Sequence, residues 1–252
     1  MENALLVGLS RQVALRRELD VIANNIANIN TTGFKSESMM FEQFLDPTAR
    51  HEMFPVNDRR INFVLDRATL QDFSQGPLQR TEAPLDLAIN GPGFFAVQTA
   101  NGERYTRGGN FHLNTQGQFV NASGNPVLGA SGPIVFEPTD TGITIAADGT
   151  VSATNALGQV GERGKIRLVN FDNPARLVQE GHGLWGAGAN NTPLVADVST
   201  RVVQGALEKS NVVAVREMNR MIEVTRAYST ITAMQQRTDE LRRKAIEKLA
   251  EA

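Results

Sequence analysis

Near each end of the chain the apolar residues recur at steps of three and four, which forces a helix with one buried stripe at both termini. Leu5, Leu9 and Val13 are followed by Leu15, Leu19, Ile22, Ile26 and Ile29, the spacing of a heptad seam. Asn30, Thr31, Thr32 and Gly33 come next, and a left-handed Gly33 would close the first helix near Asn30. At the other end Ser210 and Asn211 can cap a helix that runs to the terminus without Pro or Gly. Its apolar face uses Val215, Met218 and Ile222, then Val224, Tyr228, Ile231, Met234, Leu241 and Ala245. Such a helix could approach ~55 Å, longer than a typical globular domain buries on its own. Narrow seams of this kind leave the helices two sorts of partner: each other, and the same helices of neighbouring molecules.

Between the helices the pattern changes. From about Gln75 to Gly205 the chain is dense in Gly, Asn, Thr and Pro, and short β-type runs follow one another: LDLAI, GFFAV, NFHLN, QFVN, IVF, ITI, KIRLVNF and RVVQ. Turn signals at Asn90-Gly91, Asn101-Gly102, Ser123-Gly124 and Asp148-Gly149 separate them. The expectation is an antiparallel all-β domain, a sandwich or irregular barrel. Residues 34–74 hold two apolar clusters, MMFEQFL and INFVL, with Pro47 and Pro55 as breakers, and read as an extended arm with strand character. The fold class is therefore α+β: a discontinuous coiled-coil-like end domain made of residues 1–33 and 206–252, an arm over 34–74, and a β domain over 75–205.

Charge and composition exclude several functions. Lys plus Arg number 25 against 27 Asp plus Glu, so no basic field exists to draw nucleic acid. With no cysteine there is no disulfide framework, thiolate metal site or cysteine nucleophile. The opening apolar stretch is soon interrupted by Arg11, Arg16, Arg17 and Glu18, which fits neither a signal peptide nor a membrane span. His51, His112 and His182 lack metal-motif spacing, and no cofactor or metal is expected. Gly181-His182-Gly183-Leu184-Trp185-Gly186 matches a dinucleotide fingerprint in letters only, because the residues after it cannot start a helix. Asp86 reads as a turn or strand-edge partner, and Trp185 as a core anchor.

The densest local signal runs from Ala23 to Lys35, ANNIANINTTGFK. Asparagine is a poor helix-interior residue because its amide competes for backbone groups. Either the helix frays here, or Asn24 and Asn28, one turn apart, hydrogen-bond between helices and fix register in a polymer. On the residues alone the two readings weigh equally. Under the second, Asn24→Leu or Asn28→Leu would permit wrong helix pairings.

The same segment, with Asn24, Asn25, Asn28, Asn30, Thr31, Gly33, Phe34 and Lys35, resembles the N-terminal signature of bacterial flagellar rod and hook proteins. Further agreement lies at Gly76-Pro77, Leu85-Asp86-Leu87, Gly91-Pro92-Gly93-Phe94-Phe95, Tyr105-Thr106-Arg107, Asp148-Gly149 and Leu207-Glu208-Lys209-Ser210-Asn211. The resemblance covers both helices and the β domain, and its opening is most similar to the proximal-rod branch, with the distal rod as the alternative. It implies a non-enzymatic subunit of the axial rod crossing the periplasm, partnered by other rod subunits and delivered unfolded by the flagellar type III export apparatus. A β-sandwich binding module is the competing class. In the Gly-Pro-Gly-Phe-Phe motif the paired phenylalanines should face opposite sides of a strand, one in the β core and the other against the arm or a neighbour.

Overall fold

The computed structural model describes residues 2–46, 61–189, 191–196 and 199–250. Pro47, His51 and Pro55, and the side chain of Leu5, lie outside the described residues. The chain forms two compact units, one from Met1–Ala27, Glu37–Gln71 and Val213–Ala252 and the other from Asn28–Ser36 and Asp72–Val212.

In the first, helical unit, α1 (Glu2–Ala27) and α2 (Ala214–Ala250) run antiparallel, as the contacts Gln12 to Thr232, Glu18 to Arg220 and Asn25 to Glu217 require. Helix α1 stops at Ala27, and a turn follows in which the Thr31 N–H donates to the Asn28 carbonyl at 3.1 Å. Gly33 takes φ +68°, and a Cβ there would lie 2.4 Å from the Arg107 backbone, so only glycine fits. The expected caps of α2 do not cap it. The helix begins three residues beyond Asn211, whose amide donates instead to the carbonyls of Asp72 and Ser74. Residues read as an extended arm with strand character contain an antiparallel strand pair: β1 (Glu37–Asp46) pairs with β2 (Ile61–Gln71), from Glu37 opposite Gln71 to Asp46 opposite Ile61.

The β unit is built on a six-stranded antiparallel sheet. Its strands lie in the order Val178–Gly181, Leu184–Gly186, Gly102–Thr106, Phe94–Thr99, Leu168–Asn170, Leu194–Val195. Alternation along Phe94–Thr99 decides where the core sits, because it sends successive side chains to opposite faces. Phe95 enters one cluster with Val97, Phe111, Phe119, Ile134, Phe136 and Val151. Phe94 enters the other, packed edge-on to Phe73, Phe171 and Trp185 at 5.6–5.9 Å between ring centres. Both phenylalanines are therefore core residues, and the arm residue that Phe94 meets is Phe73.

A second sheet, Thr141–Ile145, Thr150–Thr154 and Val160–Lys165, contributes Ile145, Val151 and Ala153 to the Phe95 side. The run IVF supplies Ile134 and Phe136 to the same core without joining a named strand. It is paired through its backbone all the same: Val135 bridges to Gln118, the Phe119 N–H donates to the Ile134 carbonyl, and the Phe136 N–H donates to the Gly117 carbonyl. The Gly-rich run around His182 is the turn of the Val178–Gly181 and Leu184–Gly186 hairpin, which carries Trp185 into the core. Among the described residues no cluster of His, Cys, Asp or Glu could hold a metal, and no helix is long and apolar enough to cross a membrane.

Candidate functional site

The most heavily bonded place in the β unit is where three separate stretches meet: residues 33–36, which follow α1, residues 72–76, which follow β2, and residues 208–211, which precede α2. Strand pairing brings them together, because Ala206–Glu208 lies antiparallel to Leu78–Arg80 with Glu208 opposite Leu78. At the centre the Glu208 carboxylate is fully buried. One of its oxygens accepts from Lys35 Nζ at 2.6 Å and from the Gly76 N–H at 2.9 Å, and the other from Arg107 Nη1 at 3.1 Å. Its main-chain carbonyl accepts from the Gly33 N–H at 2.8 Å. Lys35 also donates to the Ser74 carbonyl, and Arg107 to the Gly91 carbonyl while stacking over the Phe94 ring. Burial holds both cations below their ordinary pKa values, and Glu208 opposes that shift without cancelling it. Asn211 completes the join: its Oδ1 accepts from the Ser36 N–H at 2.7 Å and its amide reaches Asp72 and Ser74.

In the helical unit the organising residue is Asn25, which is buried. Its Oδ1 accepts from the Glu37 N–H at 2.9 Å, and its amide donates to the Glu37 carbonyl at 2.8 Å and to the Glu217 carboxylate at 3.2 Å. One side chain thus holds α1, the start of β1 and the first turn of α2. Below it Glu18 takes a two-nitrogen bond from Arg220, at 2.9 and 2.8 Å. Ala14, Ile22 and Val224 are the buried apolar residues of the two helices among the described side chains. Leu15, Leu19, Ile26, Ile29, Tyr228 and Ile231 are half-buried, while Met234 and Leu241 are exposed. Val215, Met218 and Ile222, which share another face of α2, are also exposed, at 64, 48 and 51 %. The helices cover each other along one side only.

In both places ion pairs and hydrogen bonds tie distant stretches of the chain together, an arrangement that offers cohesion. Comparison with known proteins gives the same direction. Three family profiles match in chain order: "Flagella basal body rod protein" over residues 5–35, "Flagellar hook protein FlgE/F/G D1 domain" over 88–153, and "Flagellar basal body rod FlgEFG protein C-terminal" over 203–248. A relative from Caulobacter vibrioides, the flagellar basal-body rod protein FlgF, is 43 % identical over 99 % of this chain and 98 % of its own length. The chain belongs to the flagellar basal-body rod protein family. The FlgF of Mesorhizobium japonicum is 34 % identical over 94 % of both chains, and the basal-body rod protein FlgG of Bacillus subtilis 33 % over 96 % and 97 %.

The rod-family signature thus divides between two jobs. Gly33, Phe34 and Lys35 are buried parts of the β unit, and Asn25 is the clamp of the helical unit. Asn24 is half-buried and donates to Glu37 Oε2 at 3.4 Å. Asn28 accepts from the Thr31 hydroxyl at 3.1 Å in the turn, and Asn30 and Thr31 are exposed. In the β-domain motif Leu85 packs on the core, and Asp86 acts through its main chain, bridging to Asn110 and accepting from the Gly205 N–H. Gly91 and Gly93 take φ of +111° and +138° ahead of the phenylalanines. Tyr105 is buried beside Phe171, and its phenol is pushed up to about 12 by burial and by Glu103.

What sequence reasoning missed is the pairing of Lys35, Arg107 and Glu208. Each stands in a motif that carries the family resemblance, but nothing local links the three charges to one another. Asn25→Ala should cost about 1–3 kcal/mol for each main-chain group of Glu37 left unpaired. Asn30→Ala, at an exposed position of the following turn, should shift thermal unfolding far less, and equal shifts would show that Asn25 is no special anchor.

Proposed function

We propose that this chain is a structural subunit of the bacterial flagellar basal-body rod, most like the proximal-rod proteins, that polymerises through its two terminal helices. The observation that carries the reading is the exposed apolar stripe on α2, on a helix whose other side is already occupied by α1. Monomeric proteins seldom leave aligned valine, methionine and isoleucine in water unless a partner covers them. A heterologous contact of this face with a different face of the next molecule does not close into a ring and builds a helical tube. The relatives' names supply the setting, the rod of the flagellar basal body, and other rod subunits are the partners this reading assigns. In that setting the role is mechanical, carrying torque along a rod that crosses the periplasm, and the export apparatus of the flagellum is the route of delivery. A distal-rod position is the second reading, supported by the full-length similarity to FlgG. Register between helices would come from Asn25 with Asn24 and Asn28 beside it, and the assembly seam from the half-buried and exposed apolar residues of both helices.

The test compares the full chain with residues 28–212. A cut at Gly205 would remove Glu208 and strand Lys35 and Arg107 in the core; a cut after Val212 keeps the β unit whole. The shortened protein should sediment as a folded monomer and fail to restore motility to a strain lacking the gene. Polymer formation or rescue by residues 28–212 would move the assembling surface into the β unit.

A further inference from the structure

We propose that Lys35, Arg107 and Glu208 form a completion lock, which withholds the packed state of the β unit until its last strand has joined its first segment. The bonds span 173 positions between Lys35 and Glu208 and 101 between Arg107 and Glu208. All three side chains are buried, the lysine and the carboxylate at 0 % exposure. Among the described residues Glu208 is the one carboxylate within ion-pair distance of either cation. At bonding distance the cluster holds two positive charges against one negative, with Asp72 acting on Lys35 from farther off, so without Glu208 the same packing would bury two cations with no carboxylate bonded to either. Leaving buried charge without its partner is strongly destabilising, which disfavours the packed state until Glu208 is in place.

Arg107 gives the lock its reach. Its guanidinium carbon lies 5.4 Å from the centre of the Phe94 ring, and Phe94 is itself packed on Phe171 and Trp185. Closing the six-stranded sheet around those rings therefore means closing it around the arginine. Lys35 gives it a second point, because its ammonium and the Gly76 N–H converge on the same carboxylate oxygen. The Gly33 N–H, on the Glu208 carbonyl, is a further donor that waits for the same residue. Residues 33–36, 72–76 and the sheet all remain uncompensated until residues 206–211 arrive. For a chain that travels unfolded, as the proposed function holds, this prevents a partial chain from packing early, but the lock itself is a property of folding and stands apart from that reading.

The experiment is pulse-labelled hydrogen exchange during refolding of the full chain, comparing the natural protein with a charge-free variant carrying Lys35→Met, Arg107→Met and Glu208→Leu. In the natural protein the amides of strands Phe94–Thr99 and Gly102–Thr106 should become protected in the same phase as those of Ala206–Glu208. In the charge-free variant the sheet amides should be protected at least tenfold sooner than Ala206–Glu208. Sheet protection that precedes Ala206–Glu208 by tenfold in the natural protein, or identical timing in both proteins, overturns the proposal. If the charge-free variant does not fold, Glu208→Gln decides: the same sheet amides should lose protection at equilibrium, and native-level protection there overturns it.

Discussion

Glu208→Gln is expected to lower the stability of the β unit by about 3–5 kcal/mol, the cost of leaving buried charge without its partner. Glutamine preserves the shape and one acceptor for the Gly76 N–H, so the loss reports charge and not volume. The signs within the cluster sharpen the expectation. Lys35→Met leaves Arg107 and Glu208 as a balanced pair, whereas Glu208→Gln leaves two cations facing each other across a neutral amide. The lysine variant should therefore be the milder of the two in urea unfolding followed by Trp185 fluorescence, a probe buried in the adjoining aromatic cluster. Equal losses would mean that the bonds matter and the charge balance does not. A stable Glu208→Gln protein would remove the cluster from the centre of the account.

Phe95→Ala should be of similar size, about 3–5 kcal/mol, for a different reason. Phe95 is fully buried and meets the Phe111 ring edge-on at 5.1 Å, and Phe111 in turn packs on Phe119. Deleting the ring leaves a cavity in a strand paired on both sides, where neighbours have little room to relax. Leu157, 82 % exposed in a turn, supplies the comparison: Leu157→Ala should stay within about 0.5 kcal/mol. Thermal unfolding of both variants checks the contrast, and a Phe95→Ala protein as stable as Leu157→Ala would mean the Phe95 cluster is loosely packed.

The helices were legible because three-and-four periodicity is a local property, and α1 and α2 carry it plainly. What the period cannot show is which side of a helix its partner takes. Val215, Met218 and Ile222 read as part of one stripe with Val224 and Tyr228, yet α1 covers only the latter group in this chain. The caps were misread for a related reason: Ser210 and Asn211 have the right chemistry for a helix start, but Asn211 is drawn to Ser36, Asp72 and Ser74, far off in sequence. Most of the short strands were visible from alternation and turns, and IVF follows the same rule, with Ile134 and Phe136 buried and the exposed Val135 between them bridged to Gln118. The ion cluster lay hidden because each of its bonds joins residues a hundred or more positions apart. Asn25 was visible as an oddity, but nothing local distinguished it from Asn24, and only the fold decides which amide faces inward.

The central claim, that the chain works by assembling through its end helices, is tested most directly by placing charge on the exposed stripe of α2. Met218→Glu and Ile222→Glu alter side chains that water already reaches, so the purified variant should match the natural monomer in circular dichroism and in unfolding midpoint. Motility of a strain carrying only the doubly substituted chain is the deciding measurement. The account predicts a folded, exported protein that fails to incorporate into the basal body and leaves the cells non-motile; normal swimming with both glutamates in place would contradict it.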